Sequence, residues 1–170
     1  IAQSAPRIAE LARLSRPQLA GARFLMVEES GMGPDCPFSG EKLSPVLAVY
    51  RARDFDDACR IVGEIYSYQG AGHSVGIHSA SEENILRLGL ELPVCRVIVN
   101  QAHCFATGGS FDNGLPFSLS MGCGTWGGNS FSENLDYRHY LNITRIARRI
   151  APREPSVDEI FGDYLARHGR

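Results

Sequence analysis

The residues best suited to chemistry fall in three short segments of this 170-residue chain. The first is Glu41-Lys42-Leu43-Ser44-Pro45, set just before an apolar run. Open α/β folds bind ligands at the sheet's edge. A carboxylate there can accept hydrogen bonds from both hydroxyls of a ribose. Glu41 also reads as an ordinary exposed loop glutamate, and spacing alone favours that reading. The second segment is Gly70-Ala71-Gly72-His73-Ser74. Glycines let a ligand come close, and an imidazole suits proton transfer or hydrogen bonding to a developing charge. Taken alone, His73 reads rather as a satisfied structural histidine or a turn residue. The third segment is Met121-Gly122-Cys123-Gly124-Thr125-Trp126-Gly127-Gly128-Asn129, whose glycines can turn backbone N–H groups towards a ligand. His103 lies between the second and third segments, where an apolar run enters glycine-rich chain.

The five cysteines are Cys36, Cys59, Cys95, Cys104 and Cys123, an odd number with no CxxC pair. That pattern argues against a disulfide framework or a structural zinc site. A nucleophilic thiol needs a helix N-terminus or a cation to lower its pKa. Cys123 and Cys36 have neither in sequence and read as loop residues, while Cys59 and Cys95 read as core positions. No phosphate-binding GxxxxGK[ST], no GxGxxG after a strand and no GxSxG is present.

The elements that must hold these segments alternate. Ser4–Leu14 reads as a short amphipathic helix with a proline in its first turn. Arg23–Glu28 and Val46–Arg51 read as strands. Asp54 opens a helix whose apolar face is Ala58, Ile61, Val62 and Ile65. Ser74–His78 is a short strand, Ser81 to Glu91 a helix, and Val94–Val99 a strand covered on both faces. This alternation predicts an α/β fold with a mainly parallel sheet and right-handed crossovers. Tyr140–Arg148 alternates like a lone strand, which must find a distant partner or another subunit. Ser156 and Glu159 form a capping box that opens a last helix.

A net charge of −2, with 44% hydrophobic and 21% charged residues, fits one soluble globular domain with no nucleic-acid or membrane surface. No apolar run reaches a membrane-spanning 18 residues and no secretory leader is visible, so reduced thiols in a cytoplasm are expected. The chain starts at Ile1, inside a helical pattern, which reads as a piece of a longer protein.

Taken in order, EKLSPVLAVY, DFDDAC, GAGHSVGIHS, CRVIVNQ, LSMGCGTWGGNSFSEN and YLNITRIARR resemble the C-terminal part of CoA-acylating aldehyde dehydrogenases, from Ser4 to Arg149. The GCGTWGGNS element looks like the form in enzymes acting on acetaldehyde, propionaldehyde, succinate semialdehyde and sulfoacetaldehyde. The E-x-F-G-P motif of the acid-forming branch stands here as Glu41-Lys42-Leu43-Ser44-Pro45. The resemblance implies a three-layer α/β catalytic region over 1–139, an oligomerisation strand over 140–150 and a tail helix over 151–170. It implies that Glu41 holds the nicotinamide ribose and Leu43 packs beside the nicotinamide of NAD or NADP. It also implies that His73 lies near the thioester centre. Asn100, His103, Gly122, Cys123 and Gly124 would line the aldehyde and acyl pocket. The implied reaction takes an aldehyde to acyl-CoA through a cysteine thioester, with CoA as co-substrate and a homo-oligomer joined through Tyr140–Arg148. None of the five cysteines matches the family's nucleophile motif, so that cysteine and the dinucleotide domain are expected upstream of Ile1. Two other readings compete: a non-catalytic oligomerisation or binding module of the same fold, and a thiol enzyme using Cys123.

Overall fold

The computed structural model describes residues 1–169. They form two compact units, residues 1–139 and 140–169.

In the first unit, Ser4 caps helix α1 (Ala5–Leu11) by accepting from the Arg7 N–H, and Pro6 occupies its first turn. Strand β1 (Leu25–Glu28) lies parallel to β2 (Val46–Val49), with Leu25 opposite Val46. Helix α2 (Phe55–Tyr68) begins where Asp54 accepts from the Asp57 N–H. Asp57 is buried in its first turn and takes hydrogen bonds from Arg53 and Arg60. Those bonds hold its carboxyl far below the usual carboxylate range. Strand β3 (Val75–Ile77), helix α3 (Glu82–Glu91) and strand β4 (Val97–Val99) follow, with β3 and β4 parallel and Val75 opposite Val97. Cys59, Val75, Leu88, Leu92 and Val94 make a core between α2, α3 and this second pair, with Phe55, Val62 and Tyr66 packed on it. A single-turn helix α4 (His103–Ala106) leads into the glycine-rich chain.

Two sequence expectations change. The strands do not form one sheet: β1–β2 and β3–β4 are separate parallel pairs, with no ladder joining β2 to β3 among the described residues. The last strand of the unit is shorter than Val94–Val99. Val94 makes only an isolated parallel bridge to Gly72, and the ladder resumes at Val97. The same run buries its one charge, Arg96, which is 6% exposed.

The second unit carries helix α5 (Val157–His168). Its capping box is complete: Ser156 accepts from the Glu159 N–H at 3.2 Å, and Glu159 accepts from the Ser156 N–H at 2.7 Å. Residues 141–155 form neither helix nor strand, where the alternation predicted a strand over Tyr140–Arg148. A strand exists only where another backbone completes its hydrogen bonds, and none does so among the described residues. Leu141, Ile143, Ile146 and Ile150 stand exposed along this stretch.

Candidate active site

The Glu41 loop is fastened to the end of α2. The Glu41 N–H donates to Gln69 Oε1 at 2.8 Å. A Cβ at Gly40 would lie 2.7 Å from that same oxygen, so a larger residue there would push the Gln69 side chain off this bond. Lys42 Nζ donates to the carbonyls of Phe38 and Gly40 at 2.6 and 2.7 Å, closing the turn over its own backbone. Leu43 has φ +39, in the left-handed region a leucine rarely occupies. Backbone strain of this kind gathers at functional sites. The Leu43 side chain is exposed, and the Glu41 carboxylate is exposed with no hydrogen bond among the described residues. Because Gln69 directly precedes Gly70–His73, this one bond to its side chain ties the glutamate loop to the start of the histidine segment.

His73 is fixed from several sides. Its carbonyl accepts from Arg96 Nη1 at 3.2 Å. Its Nδ1 lies 2.6 Å from the hydroxyl of buried Ser74. That hydroxyl is in turn 2.9 Å from His103 Nε2, 29 residues further along the chain. The Tyr66 hydroxyl donates to the Ser74 carbonyl and locks the peptide between the two histidine-bearing positions. Burial, and then the neighbouring His73, push the His103 pKa down. The neutral imidazole is therefore the stable form of His103.

The glycine-rich loop packs directly on this segment. Gly72, at φ +86, has no room for a side chain: a Cβ there would fall 2.0 Å from the Cys123 carbonyl oxygen. The loop doubles back on itself, with Gly122 N–H donating to Glu133 O at 2.9 Å and Gly124 N–H to Phe131 O at 3.0 Å. The Cys123 N–H is taken by Asn129 Oδ1 at 2.8 Å, so it is not free to bind a ligand. Gly124 and Trp126 border a shallow hollow of about 240 Å³ with Asn129 and Phe131.

Arg96, which no local motif marks, ties these parts together. Its guanidinium donates to Asn134 Oδ1 at 2.8 Å, to Gly122 O at 3.0 Å and to Ser132 O at 3.2 Å, besides His73 O. Asn134 is 1% exposed and donates onward to the carbonyls of Thr107 and Pro116, both at 2.9 Å. Arginine offers five donors in a fixed fork, which is what reaching several carbonyls on two chain segments requires. Its partners lie 23 to 38 residues away in sequence, so no local pattern could announce it.

The expected site residues thus divide. His73, His103, Gly122, Cys123 and Gly124 come together around Ser74 and Arg96, and Glu41 reaches them through Gln69. Asn100 stands apart. It has φ +54, and its amide is used in a reciprocal pair with Ser79, accepting from the N–H at 2.9 Å and donating to the carbonyl at 2.8 Å. It borders a different hollow, of about 290 Å³, with Gln101, Phe105 and Ser110. The five thiols are unpaired, and burial raises the pKa of Cys59 and Cys95. No group of three or more metal-binding side chains occurs among the described residues.

No family model matches the chain. Individual proteins do. It is 64% identical over 168 residues to a sulfoacetaldehyde dehydrogenase (acylating) of Cupriavidus necator, covering 99% of this chain and 34% of that protein. It is 40% identical over 163 residues to a succinate-semialdehyde dehydrogenase (acetylating) of Clostridium kluyveri, covering 95% and 35%. Among solved structures, an acetylating aldehyde dehydrogenase of Geobacillus thermoglucosidasius superposes with a TM-score of 0.81 at 33% identity, covering 92% of this chain and 34% of that one. The chain therefore spans about a third of the length of the curated relatives it matches. Its homologues are acylating aldehyde dehydrogenases, and it corresponds to them as a C-terminal part of such an enzyme would.

Proposed function

We propose that this chain is part of a CoA-acylating aldehyde dehydrogenase that converts an aldehyde, NAD or NADP and CoA to acyl-CoA, and that the aldehyde is sulfoacetaldehyde. The observation that carries this reading is the 64% identity, along nearly the whole chain, to an acylating sulfoacetaldehyde dehydrogenase. On this reading residues 1–139 belong to a three-layer catalytic region, 140–150 are an oligomerisation strand and 151–170 a tail helix. The nucleophilic cysteine and the dinucleotide domain lie upstream of Ile1, in a cytoplasmic enzyme.

The residues present fit a nicotinamide cofactor. An unengaged carboxylate at Glu41 and an exposed apolar side chain at Leu43 are held on one strained turn. Glu41 would hold the ribose hydroxyls, and Leu43 would lie beside the nicotinamide. The cofactor, when bound, supplies the hydride acceptor. The chain's own contribution is positional. His73 stands at the thioester centre, while the Gly122–Gly124 backbone, pressed onto Gly72, forms a wall of the acyl pocket. His103 would complete that pocket, while Asn100 holds the Ser79 turn beside a separate hollow. Cys123 is a pocket-loop residue rather than the nucleophile, which sets aside the reading of a thiol enzyme using Cys123.

The test is a CoA-dependent assay of the intact enzyme with sulfoacetaldehyde, succinate semialdehyde and acetaldehyde, followed by nicotinamide reduction. Sulfoacetaldehyde is expected to give the highest kcat/KM, and equal values for the three would sink the substrate assignment. Glu41→Gln is expected to weaken cofactor binding about tenfold or more, because a neutral amide replaces charge-assisted bonds to the ribose. Unchanged nicotinamide kinetics would remove Glu41 from that role. The reading as a non-catalytic assembly module draws on the exposed Leu141, Ile143 and Ile146. Their alternation equally serves the enzyme as a strand that pairs with another subunit and makes a homo-oligomer. Sizing chromatography after deletion of Tyr140–Arg148 should show a smaller assembly.

A further inference from the structure

We propose that Ser74 and His103 form a one-way hydrogen-bond chain that fixes His73 with its proton on Nε2, making the outward nitrogen of His73 a hydrogen-bond donor rather than a base. The donor role rests on the acylating reaction proposed above; the chain itself does not.

The direction follows from counting hydrogens. Ser74 Oγ lies between two imidazole nitrogens, His73 Nδ1 at 2.6 Å and His103 Nε2 at 2.9 Å. A serine hydroxyl has one proton to give, so it donates to one ring and accepts from the other. His103 decides which. Its Nδ1 faces the Cα of Gly76, so closely that a Cβ there would sit 2.7 Å from the nitrogen. A Cα–H of Gly76 occupies that direction, and no acceptor is bonded to this nitrogen among the described residues. A proton on Nδ1 would be a donor facing another hydrogen. A lone pair there receives a weak C–H contact instead. His103 therefore carries its proton on Nε2 and donates to Ser74 Oγ. Ser74 then donates to His73 Nδ1, and neutral His73 must hold its own proton on Nε2. Bonds that run in one direction polarise one another, which strengthens the last donor.

The surroundings suit a neutral chain. Ser74 is 6% exposed, and Arg96 donates to the His73 carbonyl rather than to its ring. His73 itself is exposed, and its Nε2 is bonded to nothing among the described residues. An N–H there would stabilise the oxyanion formed when a thiol adds to the carbonyl carbon. No proton leaves His73 in that role. Ser74 and His103 are positioning residues that act through it.

The test reads the tautomer directly, by long-range ¹H–¹⁵N correlation of the histidine rings in the 170-residue chain at neutral pH. His73 is expected to show a bare Nδ1 and a protonated Nε2. Ser74→Ala should leave it averaged between tautomers, and Ser74→Thr should restore the single form. A proton on Nδ1 in the parent chain overturns the proposal whether or not any variant folds. So does a Ser74→Ala spectrum identical to the parent's. In the intact enzyme, Ser74→Ala should lower kcat up to about tenfold with KM little changed, less than the roughly 100- to 1000-fold of outright loss of an oxyanion donor, because the Nε2–H tautomer stays partly populated; an unchanged kcat refutes the donor role. A protein with the expected tautomer and no acyl-CoA-forming activity would refute the reaction proposed above while supporting the chain.

Discussion

Replacing Arg96 with methionine isolates the element that holds the site together. Methionine keeps the length of the stem, so little cavity is left. What disappears is a fork that donates to four oxygens, two of them in fully buried bonds, Asn134 Oδ1 and Gly122 O. A buried acceptor stripped of its donor costs about 1–3 kcal/mol. The Ser132 and His73 carbonyls sit nearer solvent and can take water instead. Two orphaned acceptors would thus cost about 2–6 kcal/mol. Against this, no carboxylate is bonded to the guanidinium among the described residues, so removing it relieves the desolvation of a buried charge, which pulls the net towards about 3 kcal/mol. At a urea m-value of roughly 1–3 kcal/mol/M, the midpoint should fall by about 1–3 M. The variant should also expose Cys123 to disulfide reagents faster, because the Gly122 carbonyl beside it is released. Arg96→Lys should recover little, since an ammonium cannot span two chain segments as the fork does. A midpoint shift under about 0.3 M with unchanged thiol reactivity would show that Arg96 does not organise the loop.

Gly72→Ala places a methyl group 2.0 Å from the Cys123 carbonyl at φ +86; the expected loss is about 3 kcal/mol, seen in soluble yield and urea midpoint, and parent-like stability would mean the loop is not pressed on Gly72. Asp57 has a depressed folded pKa, so its contribution is full above its ordinary value of 3.8 and fades as pH falls below that. Asp57→Asn should lower the urea midpoint at pH 7 and flatten its decline in acid; parallel pH curves for parent and variant would contradict this. Ser156→Ala removes one half of the capping box and should cost α5 about 1 kcal/mol, read as faster amide exchange over Val157–His168. Unaltered exchange there would mean that the cap contributes nothing.

What was legible in the sequence is what is decided locally. Asp54, Ser81 and Ser156 each cap the helix they were read as opening, because a cap acts within three residues of itself. The parallel character of the strand pairs also followed from the alternation of elements. Strand ends and sheet membership did not, since both depend on a neighbour that the strand's own residues do not encode. Arg96, the one charge in Val94–Val99, gives no local sign of its role, because its Gly122 and Ser132 carbonyl partners come from chain still to follow. His73 was visible from its glycines, but its link through Ser74 to His103 joins positions 29 residues apart. The left-handed turns at Leu43 and Asn100 left no trace either, because neither residue type favours that conformation as glycine does.

The Arg96 fork takes hold of the loop at the carbonyls of Gly122 and Ser132, and of the histidine strand at the carbonyl of His73. Backbone oxygens are the same whatever side chain follows them. The frame of the site is thus indifferent to the identity of residues such as Ser130, Ser132 and Thr125. Substitutions at the rim can change what the pocket admits without disturbing its walls. Single changes at the rim can then accumulate while the anchorage stays intact.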